Sequence, residues 1–200
     1  MKNVFLLSPA RCDGKRAQVL LNPSASFALA ERIRTPAGAP IGEVFSFLSG
    51  LYFRGKLAYA REFGASSFVI TTDRGLIDPE TPVTRDDLVA FSCVDIAAGD
   101  VRYTAPLQRD IESLATRTKK APVVLLGSIA TGKYADILMN VLGDRLVFPS
   151  EFVGRGDMSR GGLLLRRARE GVELAYEPVQ GAVRHGKRPP KLPRLSSRTK

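Results

Sequence analysis

An unbroken apolar run at residues 122–127 constrains the fold of this chain more than any other feature of the sequence. The run reads PVVLLG, and strands of such uniform apolar character are typical of parallel sheets that are buried on both faces. Three other segments predict strands, at residues 3–8, 67–72 and 145–149. Apolar residues at helical spacing occupy the intervening segments 41–63, 106–118 and 130–142. Strands that alternate with helices predict a three-layer α/β/α domain around a mainly parallel, four-stranded central sheet.

The excess positive charge is concentrated near the C-terminal end of the sequence. The 200 residues carry a net charge of +10, and seven of these ten charges belong to residues 183–200, which leaves +3 for residues 1–182. Because this segment also holds Pro189, Pro190 and Pro193, it cannot form a regular helix. We predict one α/β domain over residues 1–182, followed by an extended basic arm.

The arm has three interpretations. Its cations, which include Arg184, Lys187 and Arg188, suit the phosphates of a nucleic acid. A solubilising terminus has the same composition. Leu192 and Leu195 also allow the arm to pack back onto the domain.

Histidine and cysteine are too scarce for the common metal sites. The sequence contains one histidine, His185, and two cysteines, Cys12 and Cys93, so neither a two-histidine zinc site nor a four-thiolate site can be built. We therefore expect no metal, and nothing in the sequence points to a cofactor.

The sequence also indicates where the protein is located. Two cysteines make no disulfide framework, and the first apolar run is shorter than the core of a signal peptide, so we expect a cytoplasmic protein. No stretch approaches the ~18 apolar residues of a membrane-spanning helix, so we expect no membrane partner.

Segments rich in glycine, proline and charge follow each of the four predicted strands. They lie at residues 9–16, 72–79, 127–133 and 149–160. Ligands of open α/β sheets bind beyond the carboxyl ends of the strands. We therefore expect these segments to contribute to one site.

Two of these segments carry candidate catalytic carboxylates. Asp13 follows the first strand and Asp73 follows the second, where either can orient or activate a water molecule. Arg11 and Arg74 lie beside them as candidate phosphate ligands. Ordinary turn chemistry accounts for the same residues equally well.

Residues 127–133 match the pattern G-x-x-x-x-G-K between a strand and a helix. In a phosphate-binding loop of this kind, a small hydroxyl that reaches Mg²⁺ comes next, but here the next residue is Tyr134. A nucleoside triphosphatase is therefore disfavoured. The residues Ser128, Thr131 and Lys133 remain candidates for binding an anion at a helix N-terminus, and a tight turn without a ligand is the alternative.

The stretch 148–162 is the most unusual in composition. We predict a mobile cationic loop over residues 154–162, a helix over 163–170 and an edge strand over 172–179. The candidate phosphate ligands of this region are Ser150, Arg155 and Arg160. On the helix that follows, Arg166 and Arg167 are candidates for contacting a nucleic-acid backbone. A solvated loop and a charged helix face are the alternative.

The order of these segments resembles the uracil-DNA glycosylase-like superfold. Residues 123–130 (VVLLGSIA) are similar to a strand–helix element of those enzymes in which a Leu-Gly pair is followed by Ala. Residues 148–150 (FPS) fall where they carry a His-Pro-Ser loop that grips DNA. Residues 51–56 (LYFRGK) and 73–79 (DRGLIDP) are similar to segments of the peroxide-stress-protein and archaeosine-synthase-associated relatives of that fold.

The resemblance spans about residues 3–170 and implies a uracil-DNA glycosylase-like fold with a nucleic-acid or nucleotide ligand. Phe148 stands where the family has its histidine, and only Asp13 lies near the position of the family's acidic, water-activating loop. The resemblance therefore implies binding of nucleic acid more than excision of a base.

These observations lead to one main hypothesis and two alternatives. The main hypothesis is a protein that binds nucleic acid, DNA rather than RNA, through residues 149–169 and the basic arm, and it leaves a base- or nucleotide-directed activity open. The first alternative is a small-molecule hydrolase or transferase that acts on a phosphorylated nucleoside with Asp73, Ser128 and Arg155. The second is a non-catalytic protein that binds a partner.

Overall fold

The computed structural model describes residues 3–96, 99–119 and 121–192. Within these residues the helices are α1 (Lys15–Leu21), α2 (Ala28–Ile33), α3 (Ile41–Ser49), α4 (Leu51–Phe63), α5 (Arg85–Ser92), α6 (Val101–Thr118), α7 (Gly132–Leu142) and α8 (Asp157–Glu170). The strands are β1 (Asn3–Leu7), β2 (Ala39–Pro40), β3 (Gly64–Ile70), β4 (Leu76–Ile77), β5 (Pro82–Val83), β6 (Val123–Leu126), β7 (Leu146–Pro149) and β8 (Tyr176–Pro178). The protein is therefore α/β, as the alternating pattern predicts.

The main sheet is mixed and has six strands in the order β4-β3-β1-β6-β7-β8. The four predicted strands β3, β1, β6 and β7 are parallel neighbours, whereas β4 and β8 pair antiparallel at the two edges. The prediction of a mainly parallel, four-stranded sheet is corrected accordingly. Strand β4 was missed because it has only two residues, too few for a hydrophobic period, and it follows a tight turn at Gly75.

The strands at the centre of the sheet are buried on both faces. Phe5, Leu6 and Leu7 of β1 have no exposed surface, and the same holds for all four residues of β6. Because successive side chains of a strand point to opposite faces, both faces are covered. Helix α4 packs against β1 and β3, and helix α7 packs against β7 and α6.

Helix ends follow the sequence signals where a cap is present. Gly50, with φ of +62°, divides the predicted helical segment 41–63 into α3 and α4. The side chains of Thr84 and Asp87 form the reciprocal capping box that begins α5. Helix α6 begins at Val101, five residues before the predicted start, because the Asp100 side chain caps it by accepting a hydrogen bond from the Arg102 amide.

The predicted loop at residues 154–162 is largely helical, because α8 begins at Asp157. Glycine has a low helix propensity, but here packing overrides it. A Cβ atom on Gly161 would lie 2.6 Å from the carbonyl oxygen of Leu51, and one on Gly55 would lie 2.6 Å from the carbonyl oxygen of Gly161. The two glycines thus allow α4 and α8 to cross at backbone contact.

The described part of the basic arm, residues 183–192, lies against the segment that precedes and begins α8. A Cβ atom on Gly186 would lie 2.6 Å from Cγ1 of Val153, and one on Gly162 would lie 3.7 Å from Cδ1 of Leu192. The half-buried Leu192 also packs against the core, as the packing interpretation of the arm predicts. Leu195 and the other residues of 193–200 lie outside the described residues.

In the part of the chain that the structure describes, none of the helices has the combination of length and apolar character that crossing a bilayer requires.

Candidate functional site

Three of the four segments that follow the predicted strands meet at one cavity. The cavity has a volume of about 580 Å³ and is lined by residues 9–13 after β1, by Thr72 after β3, by Lys133 at the start of α7, and by residues 91–96 at and beyond the end of α5. We call it the strand-end cavity. The chain leaves β1 towards β3 and leaves β6 towards β7, so the cavity lies near the point where the strand order reverses, the usual position of ligands in such sheets.

Asp13 lies on the wall of the strand-end cavity and is bound to Arg11. Nη2 of Arg11 lies 2.8 Å from Oδ2 of Asp13, and both side chains are exposed. The hydrogen bonds from Arg11 hold the pKa of Asp13 below its usual value. A carboxylate stabilised in this way stays ionised, but it is a weak general base.

Asp73 and Arg74 lie between the end of β3 and helix α5. Oδ1 of Asp73 is buried and has no hydrogen-bond partner in the described residues, although Nε of Arg74 lies 3.9 Å away. Burial raises the pKa of Asp73. Arg74 also pairs with Asp87 and stacks on Phe91 at 5.3 Å, so it ties the end of β3 to α5.

The loop that resembles a phosphate-binding loop is filled by its own tyrosine. The amide of Ser128 donates a hydrogen bond of 2.8 Å to the hydroxyl of Tyr134, and the hydroxyl of Ser128 accepts one of 3.3 Å from the amide of Ala130. Thr131 is the N-cap residue of α7 but makes no capping hydrogen bond with its side chain. Of the three predicted anion ligands in this loop, Lys133 is exposed and reaches the strand-end cavity.

A buried polar cluster lies directly after β1, and the sequence pattern does not predict it. Nζ of Lys56 donates hydrogen bonds of 2.6 Å to the carbonyl oxygen of Ser8 and 2.9 Å to its hydroxyl. The ammonium also lies over the rings of Tyr52 and Phe53, at 4.5 and 4.6 Å. Lys56 is only 1% exposed. The available signal was a lysine on the apolar face of segment 41–63, four residues after Tyr52.

Burial lowers the pKa of Lys56 to about 7, with Asp157 opposing and Arg160 reinforcing this shift. In the described part of the chain, Lys56 makes no ion pair with a carboxylate, which accounts for the dominance of the burial effect. The hydroxyl of Tyr52 is buried and has no hydrogen-bond partner among the residues that the structure describes, and burial raises its pKa.

Arg160 faces this cluster and not the solvent. Its Nε and Nη2 donate hydrogen bonds of 3.2 and 3.1 Å to the carbonyl oxygen of Phe152, and Nη1 lies 3.6 Å from Asp157. Its side chain is 10% exposed, so it is held as a structural link between α8 and the turn after β7. Ser150 likewise binds within the fold, since its amide donates to the carbonyl oxygen of Ala175.

The fourth segment lies in a second groove, which it forms together with the basic arm. This groove has a volume of about 380 Å³ and we call it the arm groove. Four basic residues, Arg155, Arg166, Arg188 and Lys191, line it together with Met158, Ser159, Gly162, Pro189 and Leu192. In the residues described, no acidic side chain is among those that line it.

The predicted basic residues of this region differ in the hydrogen bonds and ion pairs that they make within the protein. Arg155 donates from Nε to the carbonyl oxygen of Glu151. Arg167 lies 3.6 Å from Glu151 and 3.4 Å from Glu170, outside the arm groove.

Residues of the arm itself fall into two groups. Nη2 of Arg184 pairs with Asp136 of α7 at 2.9 Å. Lys187, Arg188 and Lys191 are exposed, and none of the three makes an ion pair within the described part of the chain.

Arg155 thus lines the arm groove, whereas Lys133, Asp13 and Arg11 line the strand-end cavity. The hydrolase or transferase hypothesis requires Arg155, Ser128 and Asp73 in one site. Arg155 follows β7 and lines the arm groove, whereas Ser128 follows β6 and Asp73 follows β3, and neither of these two lines that groove.

Comparison with known proteins gives no relative, because no family model, no curated protein and no solved structure matches this chain.

Proposed function

We propose that this protein binds nucleic acid through the arm groove, with DNA as the first ligand to test. The observation that carries the proposal is the position of the arm. It brings Arg188 and Lys191 to the same groove as Arg155 and Arg166, although more than twenty residues separate these pairs in the sequence.

The chemistry of the groove suits a chain of phosphates. Cations without carboxylate partners are available to replace the counterions of a nucleic acid. Arg188 and Lys191 are in this state in the described residues. Arg155 is already paired with the carboxylate of Glu151 at 3.8 Å and is 10% exposed, so it adds positive charge to the groove wall and leaves the direct phosphate contacts to the residues of the arm. A small acidic ligand would need only one or two of these cations, whereas a polyanion uses the whole row.

The resemblance to uracil-DNA glycosylase-like proteins is a second reason to test DNA before RNA. In this proposal the protein has that superfold, and the groove provides affinity without sequence specificity, because contacts with phosphates carry no base information.

Charge reversal in the groove tests the proposal. We expect the double variant Arg188→Glu, Lys191→Glu to bind a labelled DNA oligonucleotide roughly tenfold more weakly or worse at moderate salt, because two phosphate contacts become repulsive. Fluorescence anisotropy measures the Kd, with duplex DNA, single-stranded DNA and RNA of the same sequence as probes.

The matched control is Lys15→Glu, Arg117→Glu, which changes the net charge by the same amount at exposed residues of α1 and α6, away from the arm groove. The proposal predicts a much smaller loss for this control. Equal losses in the two double variants would mean that binding follows net charge only, and no binding by the unmodified protein at low salt would refute the proposal.

A further inference from the structure

Ser8 and Lys56 lie at the position in the sheet where open α/β folds place their reacting groups. Ser8 directly follows β1, whose neighbour β6 marks the other side of the reversal in strand order. The next residue, Pro9, lines the strand-end cavity. Tyr134, which follows Lys133 of the same cavity wall, comes close to Ser8, because a Cβ atom on Gly127 would lie 2.9 Å from both Cβ of Ser8 and the hydroxyl of Tyr134.

The two side chains have the geometry of a nucleophile and its base. Oγ of Ser8 lies 2.9 Å from Nζ of Lys56, within the range required for direct proton transfer. The carbonyl oxygen of Ser8 holds the same Nζ at 2.6 Å and therefore fixes its direction. A serine activated by a neutral lysine is a known variant of the nucleophile–base arrangement.

The surroundings of Lys56 keep its amine available as a base. The facing titratable groups are Tyr52 on its own helix, Tyr134 on α7, and Asp157 and Arg160 on α8. None of them forms an ion pair with Lys56 in the described residues, and burial lowers the pKa of the ammonium to about 7. Near pH 8 most molecules then carry a neutral amine that can accept the proton of Ser8.

We propose that Ser8 is a nucleophile and Lys56 its general base, in hydrolysis of small esters that enter through the strand-end cavity. The apolar residues Phe91, Val94 and Ile96 line this cavity and suit an apolar acyl group. Ser8 is 5% exposed, so the substrate approaches through the cavity wall at Pro9. The proposal is independent of nucleic-acid binding in the arm groove.

Each step of this reaction is balanced. Oγ of Ser8 forms a bond to the ester carbonyl carbon while its proton passes to Nζ of Lys56. The carbon–oxygen bond of the ester then breaks, and the departing alkoxide takes that proton to leave as an alcohol. A water molecule attacks the acyl-serine, with Lys56 again accepting a proton and returning it to Oγ, and the carboxylic acid is released.

A fluorophosphonate probe tests the pair directly, because it forms a stable bond to an activated serine as fluoride leaves. We expect intact-mass analysis of the full chain to show one adduct, and peptide mapping to place it on Ser8. The labelling rate should rise with pH through about 7. Hydrolysis of p-nitrophenyl acetate should follow the same profile.

Three substitutions complete the test. Ser8→Ala should abolish the adduct, and Lys56→Met, which keeps the unbranched shape of the side chain, should slow labelling about a hundredfold or more. Ser113→Ala, at an exposed serine of α6, should label at the rate of the unmodified protein. Circular dichroism of each variant verifies the fold, and the pH profile of the unmodified protein remains a test if Lys56→Met does not fold.

An absence of adduct on Ser8 would overturn the proposal. So would a rate that does not change with pH between 6 and 8.5, or labelling of folded Lys56→Met at the unmodified rate.

Discussion

Lys56 shows how a single buried charge shapes this protein. An amine that is 1% exposed and lacks a carboxylate partner in the described residues binds its proton weakly, with a pKa of about 7 instead of 10.5. The unfolded chain therefore holds more protons on this residue than the folded protein between these two values. Stability must then rise with pH across this window, since the folded state no longer has to bury a charge.

We expect the free energy of unfolding to increase by roughly 1–2 kcal/mol between pH 7 and 8.5 on account of Lys56. Urea denaturation followed by circular dichroism measures it, and the window stops before Cys12, whose pKa burial raises to about 12, begins to oppose the trend. The variant Lys56→Met should lose this increase, whereas Lys133→Met, at an exposed lysine, should retain it. An increase of the same size in Lys56→Met would show that another group is responsible.

Single residues also mark what the sequence can and cannot reveal. The cap at Thr84 has a local signal in the sequence, because its hydroxyl lies three residues before the acidic partner Asp87. Lys56 was not recognised as part of a cluster, because its partner Ser8 lies 48 residues away and only the pairing of β1 and α4 in space brings them together.

At the level of elements, the crossing of α4 and α8 positions both the buried cluster of Lys56 and the arm groove. Gly55 and Gly161 bring the two helices into backbone contact, which places Lys56 and Arg160 in one cluster and leaves Ser159 and Arg166 facing the arm groove. The sequence predicted a loop over 154–162 because it contains four glycines. Glycine signals a flexible turn and a close helix contact equally well, and only the packing partner distinguishes the two.

We expect Gly161→Ala to destabilise the protein by about 1–3 kcal/mol, because its Cβ would lie 2.6 Å from the backbone carbonyl oxygen of Leu51, which cannot move without shifting α4. Gly162→Ala is the matched control at the next position. Its Cβ would lie 3.7 Å from Leu192 Cδ1, an ordinary contact, and alanine gains up to about 1 kcal/mol in helix propensity. Thermal unfolding compares the two, and a Gly161→Ala protein as stable as Gly162→Ala would contradict this account of the crossing.

Across the whole molecule, the sequence predicted the class of fold and the parallel centre of the sheet, because β1, β3, β6 and β7 each contain an unbroken run of three or four apolar residues. The two-residue edge strand β4 carries no such pattern. Ligands of such sheets bind beyond the strand ends, and three of the four segments predicted on that basis do meet at the strand-end cavity. The fourth segment, residues 149–160, lines the arm groove together with residues of the arm. Local sequence patterns do not show that two segments so far apart in the sequence pack together.

The salt dependence of DNA binding tests the central claim, that the arm and the start of α8 form one binding surface for phosphates. For duplex DNA the slope of log K against log salt concentration is about −0.9 for each phosphate contact. Removal of the contacts of Arg188 and Lys191 in Arg188→Glu, Lys191→Glu should reduce the magnitude of the slope by about 2, and the control Lys15→Glu, Arg117→Glu should leave it nearly unchanged. A slope that is the same in the groove variant and the unmodified protein would contradict the claim.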